Sequence, residues 1–351
     1  MSTPQHGATP QHGATPPHGA TPQHGAISAI VPVWNGRELL ERLLASLAAQ
    51  TRRADELIVV DNGSQDGSPE TARSGGARVI AMGRNAGFAA AVNRGIRESR
   101  GEWLAVLNSD VELAPDYFEK LAASDGWFAT GKILSPATGA IDGTFDAVAR
   151  GGTAWRVGSG CADGPVFSKR RAIWSAPWTA ALFRAELFRK IGLLEESFES
   201  YLEDVDFGLR CARAGLAGVY VPEAIAWHRG SATLGRWHPD TVRRIARNQM
   251  FLLARHYPKR LLVRWWWAIL LAQTLWGLVS LRHGAGWAWI RGKGEGLRRF
   301  PAERSQFVPF DPEVLEQILR ENERTIREVQ TAAGFDSYWK MYFLLTRGGA
   351  K

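Results

Sequence analysis

Three short polar clusters break an otherwise apolar first third of the chain: Trp34-Asn35-Gly36, Asp61-Asn62-Gly63 and Asn108-Ser109-Asp110. Each follows directly on an apolar run, ISAIVPV (27–33), ELIVV (56–60) and WLAVL (103–107) respectively. Amides, hydroxyls and carboxylates at such turns suit a nucleotide or phosphate ligand, and the carboxylates suit a divalent cation. The apolar runs show no alternation, as expected of strands in a parallel sheet covered on both faces. In open parallel sheets ligands bind outside the carboxyl ends of the strands, so three clusters at one edge predict one site.

The elements that would position these clusters alternate along the chain. A helix is expected after the first strand, with Leu39, Leu40, Leu43, Leu44 and Leu47 on one face and Asn35 as its cap. RVIAM (78–82) reads as another strand, and a helix is expected over 88–99. Pro32 is unwelcome inside a central strand and is expected at its end or at a bulge. Residues 130–183 give no clear period. A second ordered block then holds the apolar Leu182-Phe183 piece, a short helix over 185–191, a helix from near Asp204 to Gly215, and a strand-like AGVYV (217–221). Strand–helix alternation of this kind predicts an α/β domain with a mostly parallel, Rossmann-like nucleotide-binding sheet.

Composition bounds the rest. Residues 4–26 repeat PQHGAT, with His6, His12, His18 and His24 at its period, and are expected to form a disordered tail over 1–26. Two cysteines, Cys161 and Cys211, exclude a four-cysteine zinc site and suit a reducing compartment. No secretory signal is visible in the first 26 residues. Net charge is +8, yet residues 229–300 hold 14 Lys and Arg against only Asp240 and Glu295. That basic stretch encloses WWWAILLAQTLWGLVSL (265–281), which is uncharged and flanked by Arg264, Arg282, Trp287 and Trp289. A basic, Trp-rich block beside an apolar run points to a membrane surface with anionic headgroups, lying on it, dipping into it or spanning it; a buried helix is the alternative. At the far end Asp311-Pro312 is expected to cap an amphipathic helix to about residue 331, with Val314, Leu315, Ile318, Leu319, Ile326 and Val329 as its apolar face.

Several chemistries are excluded. No G-x-G-x-x-G follows a strand, and no G-x-S-x-G elbow appears. Gly126 to Lys132 reads GxxxxGK, but Ile133 stands where a magnesium-binding Ser or Thr is needed. Aromatics in the basic half fall within an uncharged run rather than between cations, so nucleic acid is not an expected partner.

Six segments in order then carry a resemblance: IVPVWNG (30–36), VVDNGSQDGS (59–68), RNAGFAAAVNRG (84–95), LNSDVEL (107–113), YLEDVDFGLR (201–210) and WHRGS (227–231). The chain resembles the family 2 glycosyltransferases, particularly the bacterial rhamnosyltransferase-like branch, over about residues 27–231. The resemblance implies a glycosyltransferase A-type fold and an inverting, metal-dependent transfer from a nucleotide-sugar donor, here a dTDP- or UDP-sugar. Asp61 would recognise the base, with Asn62 and Ser64 as neighbours, Asp66 as a less certain second acid of the loop, and Pro32 and Asn35 beside them. Asn85, Gly87 and Asn93 would lie along the donor, although small-residue helix packing explains that segment equally. Asn108-Ser109-Asp110 resembles the DXD element with its first Asp replaced by Asn. Asp110 would be the metal ligand, with Asn108 and Ser109 nearer the donor.

Glu203-Asp204 matches the family's acidic pair, implying Asp204 as the base that deprotonates the acceptor hydroxyl and Glu203 as the second choice. A carboxylate at a helix N-terminus is expected to stay ionised near neutral pH. Asp206 is expected to belong to the helix start and to pair with Arg210. His228 would complete a Mn²⁺ or Mg²⁺ site beside Asp110. Trp178 and Thr179 depart from the small pair usual next to the sugar and are expected to narrow the pocket.

The expected organisation is the tail (1–26), the catalytic domain (27–235), a basic, Trp-rich membrane-associating helical region (236–300) and a helical tail (301–351). A lipid-linked glycan acceptor and the cytoplasmic face of the inner membrane follow from the same reading. Two alternatives are weighed against it. A sugar nucleotidyltransferase would carry a glycine-rich basic loop where this chain reads VWNG. A degenerate scaffold or glycan-binding module would be expected to have lost at least one of Asp61, Asp110, Asp204 and His228.

Overall fold

The computed structural model describes residues 25–230 and 237–346; the repeat over residues 4–24 with its four histidines, and Ser231 of the WHRGS segment, lie outside the described residues. The chain begins with β1 (Ile27–Val33), α1 (Arg37–Ala48), β2 (Glu56–Asp61), α2 (Ser68–Ser74), β3 (Arg78–Ala81), α3 (Phe88–Glu98) and β4 (Trp103–Leu107). These four strands pair in parallel in the order β4-β1-β2-β3. All seven residues of β1 are buried because α1 covers one face and α3 the other. Ile30 packs with Val92 and Ile96 of α3, while Ala29 and Val31 pack with Leu40 and Leu43 of α1. Pro32 sits next to the strand's end, beyond Ile30, the last residue of β1 registered with β4.

Next come β5 (Val111–Leu113), α4 (Tyr117–Ala122), β6 (Phe128–Leu134), β7 (Ile141–Gly143), β8 (Asp146–Val148), β9 (Ala154–Arg156), β10 (Arg171–Ile173) and β11 (Ala180–Arg184). The block closes with α5 (Ala185–Ile191), α6 (Glu203–Arg213) and β12 (Gly218–His228). Strand β11 enters antiparallel between β4 and β6, so the ten-stranded sheet is mixed, with β1 to β4 parallel to one another and β12 parallel to β6. Residues 130–183 showed no period because most of their strands are three residues long, too short to repeat a pattern. Lys132 of the GxxxxGK stretch lies in β6 and pairs with Asp163 at 2.9 Å, which confirms that no phosphate loop exists there.

The remaining helices are α7 (Pro239–His256), α8 (Lys259–Arg264), α9 (Trp266–Arg282), α10 (Gly286–Arg304), α11 (Pro312–Ala333) and α12 (Ser337–Leu345). They share one continuous hydrophobic core with the sheet, running from Ile30 to Phe343. Asp311 caps α11 through the N–H groups of Glu313 and Val314, and the helix folds back on β8 and α6. Glu323 of α11 forms a buried pair with Arg150 at 2.9 Å and accepts from the Tyr342 hydroxyl at 2.7 Å. Val314, expected on the apolar face, is exposed, since the buried stripe starts one residue later at Leu315. Among the described residues no helix is long and apolar enough to cross a membrane.

Candidate active site

At the carboxyl end of the parallel strands Val33 is in register with Asp61, and the Asn62 N–H bonds the Val33 carbonyl at 2.8 Å. Asp61 is buried, and its Oδ1 accepts from the Ser64 N–H at 3.0 Å. Ser64 Oγ accepts from the Asn35 N–H, and Asn35 Oδ1 from the Gln65 N–H, both at 2.9 Å. The first two clusters are thus knitted together. Asn35 does not cap α1, however. It lies at φ 55°, Gly36 at φ 104° takes the cap position, and Asp66 caps from the neighbouring loop. Asp66 Oδ2 receives the N–H groups of Gly36 and Arg37 at 2.6 and 2.9 Å, and with further bonds from Ser68 its pKa falls to about 2 despite some desolvation. Asp66 is therefore engaged in holding the loop.

Asn62 reaches the next loop, donating to the Gly87 carbonyl at 3.1 Å and accepting from the Ala86 N–H at 3.1 Å. Asn85 folds back onto the Gly87 N–H at 3.0 Å. Gly87 has φ 91°, and a Cβ there would press on the Glu199 carbonyl at 3.0 Å, so glycine is needed for both reasons. Asn93 is not brought to this edge. Its buried amide donates to the Leu194 carbonyl and to Glu196 and accepts from the Leu194 N–H, fastening α3 to the 194–196 segment. Ala89, Ala91 and Gly95 are buried too, and a Cβ on Gly95 would collide with Ile30, so small-residue packing does account for this helix.

The third cluster faces β12. The Val111–His228 pairing of β5 with β12 sets Asp110 opposite His228, whose Nε2 lies 3.1 Å from Asp110 Oδ1. Asp142, which sequence reasoning missed, holds the other ring nitrogen, Nδ1, at 2.8 Å. Burial opposes a charged imidazole, but hydrogen bonds and charge from the two carboxylates prevail and raise its pKa to about 9. Ser109 is half-buried beside them.

The Asn108 N–H bonds the Thr179 carbonyl at 2.9 Å, extending the β4–β11 ladder by one residue. Thr179 Oγ1 accepts from Arg156 Nη1 at 3.3 Å, and Arg156 Nη2 donates to Asp204 Oδ2 at 2.9 Å. Asp204 is thereby tied to the strand end that carries Asn108 and Asp110. Asp146 completes the group, accepting from Arg156 Nε at 3.2 Å. Asp206 belongs to the helix as expected, paired with Arg210 at 2.9 Å, and also with His256 of α7 at 2.8 Å.

The two acids of the pair differ from the expectation of ready ionisation. Burial, then the Asp146 charge, push Asp204 up to about 7, against the pull of Arg156. Burial and the neighbouring Asp204 charge raise Glu203 well above the carboxylate range, and its Oε2 has no partner. Desolvation outweighs the helix dipole here. Of the two acids, Asp204 is the one in contact with a guanidinium, that of Arg156, which favours its charged form. Trp178 is buried in the core, tilted against Phe183 and edge-on to Phe188 and Phe207, and so is not placed to narrow the pocket.

Just before this pair the backbone is strained. Glu199, Tyr201 and Leu202 all have positive φ (62°, 71° and 67°), which side chains other than glycine rarely adopt. Asn248 of α7 holds the strained segment through the carbonyls of Phe198, Ser200 and Tyr201 at 2.7–3.1 Å.

A family profile described as Glycosyl transferase family 2 matches residues 28–192. The N-acetylglucosaminyl-diphospho-decaprenol L-rhamnosyltransferase of Mycobacterium tuberculosis is 31% identical over 283 residues, covering 69% of this chain and 87% of that protein. The chain belongs to glycosyl transferase family 2. It is a nucleotide-sugar-dependent glycosyltransferase. Among solved structures it is similar in fold to GalNAc-T7 with UDP, GalNAc and Mn²⁺, with a TM-score of 0.58 at 14% identity over 88% of this chain and 58% of that one. It is also similar to TarS of S. aureus, with a TM-score of 0.50 at 17% identity over 88% and 55% of the two chains.

Of the expected ligands, the fold sets two side by side. Among the described residues no group of three or more His, Cys, Asp and Glu side chains surrounds a common point. An Asp110 oxygen next to His228 Nε2, with Nδ1 oriented by Asp142, still fits a cation that takes its other ligands from a diphosphate and water.

Proposed function

We propose that this transferase is inverting and metal-dependent, and moves a sugar from a dTDP- or UDP-donor to a lipid-linked glycan in bacterial cell-surface polysaccharide synthesis. The observation that carries the reading is the link from Asp204 through Arg156 and Thr179 to the strand end bearing Asp110. Asp61 accepts a hydrogen bond from the base, with Asn62, Ser64, Asn35, Pro32, Asn85 and Gly87 around the nucleotide and Asn108 and Ser109 near its ribose and phosphates. Asp110 and His228 hold a divalent cation, Mn²⁺ or Mg²⁺, which when bound neutralises charge on the departing diphosphate. Asp204 takes the proton from the acceptor hydroxyl as its oxygen bonds the anomeric carbon and the nucleoside diphosphate leaves. The name of the mycobacterial relative, a rhamnosyltransferase acting on a decaprenol diphosphate, supports an L-rhamnosyl donor and a polyprenyl acceptor.

A membrane-facing role for residues 236–300 belongs to the same reading. Of the 16 exposed large hydrophobics among the described residues, all but Trp34 fall between Val263 and Leu345. Helices α8, α9 and α10 carry most of them among Arg and Lys with Glu295 and the buried Glu303 as their only acids, which supports docking on the cytoplasmic face of the inner membrane. Release of nucleoside diphosphate from a panel of UDP-, dTDP- and GDP-sugars, with Mn²⁺, Mg²⁺ or EDTA and polyprenyl diphosphate GlcNAc as acceptor, tests the proposal. Metal-dependent release from one donor that is lost in Asp110→Ala is the expected result. Equal turnover in EDTA would overturn the metal assignment, and release from GDP-sugars alone the donor class.

A further inference from the structure

Arg156 lies in β9, in the stretch of sequence that shows no period, and nothing in its surroundings along the chain marks it. The fold nevertheless gives it three separate acceptors, one for each nitrogen: Asp146 for Nε, Thr179 for Nη1 and Asp204 for Nη2. Gly143 leaves room for its stem, since a Cβ there would overlap Arg156 Cδ and Cγ. Ser175, which donates to the Asp204 carbonyl at 3.2 Å and whose own carbonyl receives the Asp146 N–H at 3.1 Å, binds the same pieces from below.

We propose that Arg156 is the positioning residue for Asp204: its guanidinium fixes the carboxylate's orientation and, balanced by Asp146, sets the pH range over which that carboxylate is a base. The proposal rests on the reading of Asp204 as the base. One cation faces a crowd of acids here, Asp146 on β8, Glu203 and Asp204 on α6, and Asp142 of β7 at longer range. Arg156 engages Asp204 through Oδ2, while Oδ1 accepts from the Val205 N–H at 2.8 Å. A planar guanidinium held at three points fixes the plane of the carboxylate it grips. The two neighbours then act with opposite signs. Arg156 favours the charged form of Asp204, and Asp146 disfavours it.

The experiment is the pH profile of kcat/KM for nucleoside diphosphate release, measured on the full chain with its preferred donor and acceptor. Arg156→Gln should lower kcat about 10- to 100-fold by misorienting the base, with donor KM little changed. Its acid limb should move to higher pH. Asp146→Asn should move the limb the other way, and Arg156→Lys should restore its place while recovering only part of kcat. Acid limbs of Arg156→Gln and Asp146→Asn that coincide with the parent's would overturn the proposal. If Arg156→Gln does not fold, Asp146→Asn and Arg156→Lys decide, and an unmoved limb in Asp146→Asn is again a refutation. Asp204→Asn separates the layers: parental turnover in that variant sinks the base assignment itself, whereas its inactivity leaves the result on Arg156 standing alone.

Discussion

Asp142 Oδ2 lies 2.8 Å from Nδ1 of His228, on the opposite side of the imidazole from Asp110. This carboxylate fixes the ring so that Nε2 faces the Asp110 oxygen, the arrangement in which an outer acid orients a metal-ligating histidine. Removing it should leave both ligands present but the ring unanchored. Asp142→Asn is therefore expected to raise the Mn²⁺ concentration for half-maximal turnover about 10- to 100-fold, the usual cost of losing such a support. Titration of activity against Mn²⁺ in parent and variant checks this, and an unchanged midpoint would place His228 outside the metal site.

Asp204 has its pKa pushed up to about 7 by burial and by Asp146. A base must be unprotonated, so kcat/KM should fall as pH drops through about 7 and level off above it. Asp204→Asn should lower kcat by about 10² to 10⁴ without changing the metal requirement. A profile flat from pH 6 to 8, or more than a tenth of parental kcat in the variant, contradicts this assignment.

The strand ends were legible and the partners were not, for a physical reason. Asp61, Asp110 and the helix start at Glu203 follow from short-range pattern: an apolar strand, a polar turn, a helix onset. Asp142, Asp146 and Arg156 lie in three-residue strands too short to show a pattern, and their roles depend on partners on other elements, Asp142 on His228 of β12 and Arg156 on Asp204 of α6. Asn35 and Asn93 show the converse error. Their types suited ligand binding or capping, but contacts 29 to 103 residues away decide what they do. The raised pKa of Asp204 likewise depends on burial, which the helix-terminus argument left out.

Asp206 ties the catalytic helix to the C-terminal helices. It receives His256 Nε2 and Arg210 and is held well below the carboxylate range against strong desolvation. Burial lowers the pKa of His256 despite its contact with Asp206, and its Nδ1 is left without a hydrogen-bond partner. Asp206→Asn would leave the Arg210 charge buried without its carboxylate, a loss of about 3–5 kcal/mol by comparison with other broken buried pairs. Because its folded pKa is lowered, the stability Asp206 adds is present above its unfolded value near 3.8 and lost as pH falls below it. Chemical unfolding at pH 7, and again well below the unfolded value, at about pH 2.5, measures both effects. Equal stability of parent and variant at pH 7 would show that the pair does not hold α6 to α7.

Trp266 and Trp287 are 62% and 77% exposed, at the starts of α9 and α10, with Val263, Leu270 and Leu281 also exposed nearby in sequence. Water-facing tryptophans on helices rich in cations are unfavourable unless a further apolar phase covers them. A bilayer with anionic headgroups supplies both that phase and the countercharge. A second protein copy would supply the first but would meet a like charge, since residues 229–300 carry 14 cations and two acids. Flotation with phosphatidylglycerol vesicles should therefore capture the parent better than neutral phosphatidylcholine does, and added salt should weaken the capture. Trp266→Ser with Trp287→Ser should lower the partition coefficient at least tenfold, because burying each ring in lipid contributes about 1.5–3 kcal/mol. Turnover of a water-soluble, short-chain acceptor should survive the double substitution, since neither tryptophan touches the Asp110 or Asp204 surroundings. Parental flotation of the double variant would place the docking surface elsewhere, and a sedimentation shift to a dimer that the double variant abolishes would replace the bilayer with a second copy.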